Sequence, residues 1–173
     1  MFIEVIEKET FNKKIKIRFN NIIEAFDKFN YFNIGPKEEE DFKEQEKIFI
    51  ELIKEFFKIN SSTVIIDFYK NKLNKEAIDI IKNNLSKKDF DIISQILKTG
   101  SSEDIYFQIK NIDYLDPLVK LCTRELFFIS FYFKKGTLWG NYNMTFPFFY
   151  EDKEEINEYE KAIKKVECRI NNW

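Results

Sequence analysis

The sequence predicts an α+β fold: one domain over residues 1–173, with a mostly antiparallel sheet of four to six strands packed by several helices. Three observations carry this. Residues 126–150, LFFISFYFKKGTLWGNYNMTFPFFY, are the most aromatic stretch of a Phe-rich chain and read as a β-hairpin. Residues 63–69, TVIIDFY, form a nearly continuous apolar run bounded by polar residues, which suits a central strand. Several longer stretches between them place apolar residues at steps of three and four, the spacing of amphipathic helices.

In chain order, residues 1–5 read as a short strand. Residues 14–19 alternate, with Ile15, Ile17 and Phe19 against Lys14, Lys16 and Arg18, as a half-buried strand does. A helix running on into the next stretch is the alternative there. Ile22, Ile23, Phe26 and Phe29 follow a helical spacing. Residues 31–36, YFNIGP, read as a strand stopped by Gly-Pro.

The longest helix is expected over residues 37–58, with Glu38, Glu39, Glu40 and Asp41 in its first turn, where the helix dipole favours negative charge. Asn60, Ser61 and Ser62 end it. Asn74 is placed to cap a helix through Leu85. Ser86 is placed to cap another, with Asp89 completing a capping box and Gly100 supplying a left-handed stop. Residues 103–110 read as a strand. Asp116 and Pro117 read as an N-cap and first helical position.

In the aromatic stretch, residues 127–133 form the first hairpin strand. The second alternates from Leu138 to Phe146. Leu138, Gly140, Tyr142, Met144 and Phe146 take one face, and Trp139, Asn141, Asn143 and Thr145 take the other. Pairing should weaken at Pro147, which has no amide proton to donate. A last helix is expected over residues 152–169, acidic at its start and basic at its end.

Composition excludes several function classes. The 173 residues contain no histidine, which removes Ser-His and Cys-His nucleophiles, His-ligated metals and His general bases. A net charge of −2 makes no electrostatic case for nucleic acid or an anionic membrane. Glu4 and Glu7 interrupt what would be a signal-peptide core, and no apolar run approaches the roughly 20 residues of a spanning helix. A cytoplasmic protein without cofactor or metal is expected. The two cysteines fit no disulfide framework or metal spacing. Cys122, in LVKLCTREL, reads as a core thiol, and Cys168 as an exposed, oxidisable one without nucleophilic character.

Candidate binding residues lie in two places. Trp139, Asn141 and Asn143 share the polar face of the second hairpin strand, with Phe128 and Tyr132 beside them on the partner strand. Tyr and Trp are over-represented in binding hot spots, although a covering helix would make the same aromatics core. The second place is the acidic run of Glu38, Glu39, Glu40 and Asp41, whose charges a helix start also explains. Asp67, inside its apolar strand, is either a buried functional carboxylate or a residue that alternation turns outward.

The order Trp139-Gly140-Asn141-Tyr142, then Phe146-Pro147-Phe148-Phe149 and an acidic helix, resembles the C-terminal part of small bacterial immunity-type proteins. Residues 31–35, the long acidic-starting helix and the apolar strand after it resemble a related group of bacterial domains. The resemblance implies a non-catalytic protein that binds and neutralises a toxin encoded nearby in a polymorphic or contact-dependent system. It implies no catalytic residues. Two other readings stay open. One is an enzyme using a carboxylate-bound divalent metal, with Asp67, Asp113 or Asp116. The other is a phage-encoded inhibitor of a host defence enzyme.

Overall fold

The computed structural model describes residues 2–36, 41–140 and 144–171. Its centre is one antiparallel sheet, and seven α-helices accompany it among the described residues. The strands are β1 (Ile3–Ile6), β2 (Asn30–Gly35), β3 (Val64–Asp67), β4 (Tyr106–Ile109), β5 (Ile129–Tyr132), β6 (Thr137–Gly140), β7 (Phe146–Tyr150) and β8 (Arg169–Asn171). They lie in the order β1-β4-β3-β5-β6-β7-β2-β8. The α+β class is as expected, and the sheet is larger than expected, with eight strands rather than four to six. The apolar run at residues 63–69 yields the interior strand β3, between β4 and β5.

The helices are α1 (Lys8–Lys14), α2 (Ile22–Lys28), α3 (Phe42–Ile59), α4 (Lys75–Asn84), α5 (Lys87–Lys98), α6 (Leu115–Thr123) and α7 (Asn157–Lys165). Side-chain caps open α2, α3, α4 and α5. Asn74 accepts a hydrogen bond from the Ala77 amide at 2.8 Å. Ser86 accepts from the Asp89 amide at 3.1 Å and donates to the Asp89 carboxylate at 2.8 Å. Each such cap satisfies an amide that the helix itself leaves open.

The two faces of the sheet are covered unequally. On one face α3, α5, α6 and α7 bury a continuous core that includes Phe56, Ile93, Leu118 and Ile163 over Ile66, Phe131, Leu138 and Phe148. The other face carries two small clusters. Phe11 of α1 sits with Ile6, Ile15, Ile65 and Tyr132. Ala25 of α2 sits with Ile17 and Phe149, and Trp139, Phe19 and Ile22 pack at its margin.

Five expectations are corrected. Residues 14–19 alternate in burial, with Ile15 and Ile17 buried, but they form no ladder. Lys14 ends α1 and residues 15–19 run as irregular chain between α1 and α2, where Thr137 Oγ1 donates to the Ile17 carbonyl at 2.5 Å. The expected second hairpin strand is two strands. β6 ends at Gly140 and β7 starts at Phe146, so β5, β6 and β7 form a meander. Leu138 pairs with Phe148, so even-numbered residues face the helices on both strands and one unbroken alternation spans the turn.

Asp116 does not cap α6, which starts at Leu115 after a 3-10 turn at Ile112–Tyr114. Pro117 falls at the third helical position, still among the amides that need no intrahelical acceptor. The last helix stops at Lys165, and Arg169 belongs to β8, paired with Gly35. Glu167 ends that helix with φ +63°, and the Cys168 amide reaches back to the Ile163 carbonyl at 3.1 Å. Finally, the long helix starts at Phe42, with Asp41 extended before it. Its cap is Asp41, which accepts from the Glu44 amide at 3.0 Å.

Candidate functional site

Between the two small clusters, where neither α1 nor α2 covers the sheet, lies a cleft of about 330 Å³. β3, β5 and β6 supply its floor, because strand alternation puts Asp67, Ser130, Tyr132 and Trp139 on this face. The segment at residues 19–22 forms one wall. Residues 126–128 and Tyr69 form others, with Lys72 at the rim.

Asp67 is the focus. It is 8% exposed. The β3–β5 register runs through Ile65↔Tyr132 and Ile66↔Phe131 and stops there. One residue on, the Ser130 amide donates to the Asp67 carboxylate at 2.6 Å, and the Tyr132 hydroxyl donates to its other oxygen at 3.1 Å. Burial pushes the Asp67 carboxyl up to about 6, against the pull of these donors. The same burial, with the Asp67 charge beside it, pushes the Tyr132 phenol well up. Asp67 makes no ion pair with any described residue.

The expected aromatic residues meet here. The Phe128 and Trp139 rings stack with centroids 6.1 Å apart and planes 11° apart. Phe128 is 41% exposed at the mouth. Trp139 is half-buried, between the open and the covered alternatives, because its indole packs on the cluster under α2. Tyr132 is buried rather than available at the surface, and it serves through its bond to Asp67. Asn141, Asn143, Glu38, Glu39 and Glu40 lie outside the described residues. Asp41 is engaged as a helix cap.

Sequence reasoning did not single out Tyr69, Phe127, Lys72 or the segment at residues 19–22 for this site. Tyr69 and Phe127 looked like interior strand residues, and the contribution of residues 19–22 depends on where α2 docks. The expectation that alternation turns Asp67 outward is half right. It leaves the helical core, but it enters a cleft rather than solvent.

The carboxylates of the metal-enzyme reading are not brought together. Asp113 is exposed on its 3-10 turn, and Asp116 pairs with Lys54 at 2.8 Å on the other side of the sheet. Among the described residues no group of three or more Asp, Glu or Cys side chains could hold a metal, and Asp67 is the one carboxylate lining the cleft. Cys122 is fully buried under β6. Cys168 is also buried, contrary to expectation, because β8 docks it against the core; burial pushes its thiol up to about 12.

A second depression adjoins the cleft across Phe19 and Asn20, with Lys8, Lys16, Arg18 and Lys28 around it. Arg18 donates to the Ile15 carbonyl at 2.6 Å, and Lys28 to Glu24 at 2.5 Å. Among the described residues no helix is long and apolar enough to cross a membrane. Comparison with family models, with curated proteins and with solved structures returned no match.

Proposed function

We propose that this chain is a cytoplasmic, non-catalytic binding protein of the immunity or inhibitor type, which neutralises a protein toxin encoded nearby by occupying part of its surface. The observation that carries the reading is the Phe128–Trp139 stack at the mouth of the Asp67 cleft. Large aromatics held on a rigid sheet present contact area at little entropic cost, and such residues dominate binding energies. Among the described residues that line it the site has one carboxylate, which favours recognition over two-carboxylate or metal chemistry.

The test is a titration against the product of the adjacent gene. Phe128→Ala should weaken binding by about 2 kcal/mol, roughly thirtyfold, with the folding midpoint almost unmoved, because the ring lies outside the core clusters. Trp139→Ala should weaken binding and also lower the midpoint. Two variants that bind like the wild type would remove the cleft from the interface.

A further inference from the structure

We infer that the cleft is a receptor for an organic cation, a guanidinium presented by an arginine side chain of the protein partner. The starting point is a carboxylate that is nine-tenths buried with no cation paired to it among the described residues. An ionised carboxylate in such a place is costly unless a positive charge or several donors compensate it. The Ser130 amide and the Tyr132 hydroxyl donate to it, and the Ser130 side chain and the Asp67 amide add to them, but none of these groups carries a positive charge. The negative charge of the ionised carboxylate is therefore left without a counter-charge, and its side chain lines the cleft.

The walls fit the same ligand. Tyr69, Phe127, Phe128 and Trp139 surround the approach to Asp67, and the faces of aromatic rings attract cations. One wall already does so: Lys72 Nζ stands 4.5 Å from the Tyr69 ring centroid, at the rim. A guanidinium suits the site better than an ammonium. It is planar, stacks on rings, is weakly hydrated and presents its donors in a fixed fork that matches a carboxylate. The basic side chains beyond Phe19 do not fill the role. Arg18 and Lys28 are engaged with Ile15 and Glu24, and no basic residue of that depression pairs with Asp67. That the cation comes from a protein rests on the function proposed above; the cation chemistry itself rests on the cleft.

The experiment uses the full chain carrying Trp173→Phe, which leaves Trp139 as the sole indole of the two in the sequence. N-acetyl-arginine amide and its neutral urea isostere, N-acetyl-citrulline amide, are titrated while Trp139 fluorescence is read. The arginine probe should give a saturable change, with the citrulline probe weaker by at least about tenfold. Equal responses, or no saturable response to the arginine probe, would overturn the inference. Asp67→Asn should erase the discrimination between the probes, and retained discrimination would also overturn it. Phe128→Ala, which leaves the core intact, should weaken the arginine probe and provides the check if Asp67→Asn fails to fold. An unchanged arginine affinity in Phe128→Ala would count against the cleft. The adjacent gene's product separates the two claims. A partner that binds Asp67→Asn as tightly as the wild type sinks the arginine contact and leaves the binding function standing. An arginine probe that binds where the partner does not sinks the protein source and leaves the cation site standing.

Discussion

Burial pushes the Asp67 carboxyl up to about 6, whereas an aspartate in an unfolded chain titrates near ~3.9. The folded protein therefore holds this proton more tightly than the unfolded one. Between roughly pH 4 and 6 it carries the extra proton, so the contribution of Asp67 to stability declines as pH rises through that window and is flat above it. A difference of about two pK units corresponds to about 3 kcal/mol. Relative to Asp67→Asn, the wild type should thus gain up to about 3 kcal/mol as pH is lowered from about 7 to 4. Urea unfolding of both proteins across that range measures it, and a difference that does not change with pH would contradict the buried placement of Asp67. Gly140 makes a second residue-scale prediction. A Cβ there would lie 2.5 Å from both Cys122 Sγ and the Ile129 carbonyl oxygen, and the carbonyl belongs to the backbone of the partner strand. Gly140→Ala should cost about 1–3 kcal/mol in a thermal or urea melt. An unmoved midpoint would mean that β6 does not approach α6 this closely. At this scale the sequence was readable where alternation decides the side: the inward turn of Gly140 and the shared face of Trp139, Ser130 and Tyr132 follow from parity. That Asp67 is enclosed was not readable, because it depends on walls from residues 19–22 and 126–128, distant in the chain.

At the scale of elements, the starts of α4 and α5 were legible and the stop of α7 was not. Asn74 and Ser86 have side chains that accept the orphan amides, and these residue types announce the role, whereas Asp41 was expected inside the first turn it caps and Asp116, expected as a cap, is not one. Three helices end with a left-handed residue that is not glycine: Ser61 after α3, Glu125 after α6 and Glu167 after α7, with φ of 58°, 57° and 63°. The Ser62, Leu126 and Cys168 amides then bond back to Phe57, Leu121 and Ile163. Glycine takes this conformation freely, and any other L-residue pays about 1–2 kcal/mol for it. With four glycines in the whole chain, the usual signal for such a stop is scarce, and so the last helix was expected to run through Arg169. The exposed Glu125 tests the motif. Glu125→Gly should leave the thermal midpoint unchanged or raise it, while Glu125→Val should destabilise by about 1–2 kcal/mol, since a β-branched residue resists positive φ most strongly. The reverse order would show that α6 does not end in this geometry. The meander β5-β6-β7 was missed for a different reason. Cross-strand partners share a face, so even-numbered residues stay inward on both sides of the turn and imitate one long strand.

Across the whole molecule, the sheet has one heavily covered face and one covered only in part. α3, α5, α6 and α7 bury the first in a continuous core, while α1 and α2 each cover a separate patch of the second. The cleft exists because these two patches do not merge. Composition and periodicity announced a sheet packed by helices, but strand order and the unequal division of its faces depend on pairings between residues far apart in the chain, such as Ile3 with Ile109 and Asn30 with Tyr150. A binding function on the thinly covered face makes a prediction about where a partner leaves its mark. Amide hydrogen exchange of the wild-type chain, alone and saturated with the product of the adjacent gene, reads this directly. Protection is expected in residues 19–22, in residues 126–132 and around Trp139, with α4 and α5 exchanging as in the free protein. Protection confined to α4 and α5, with the cleft segments unchanged, would contradict the cleft as the recognition surface.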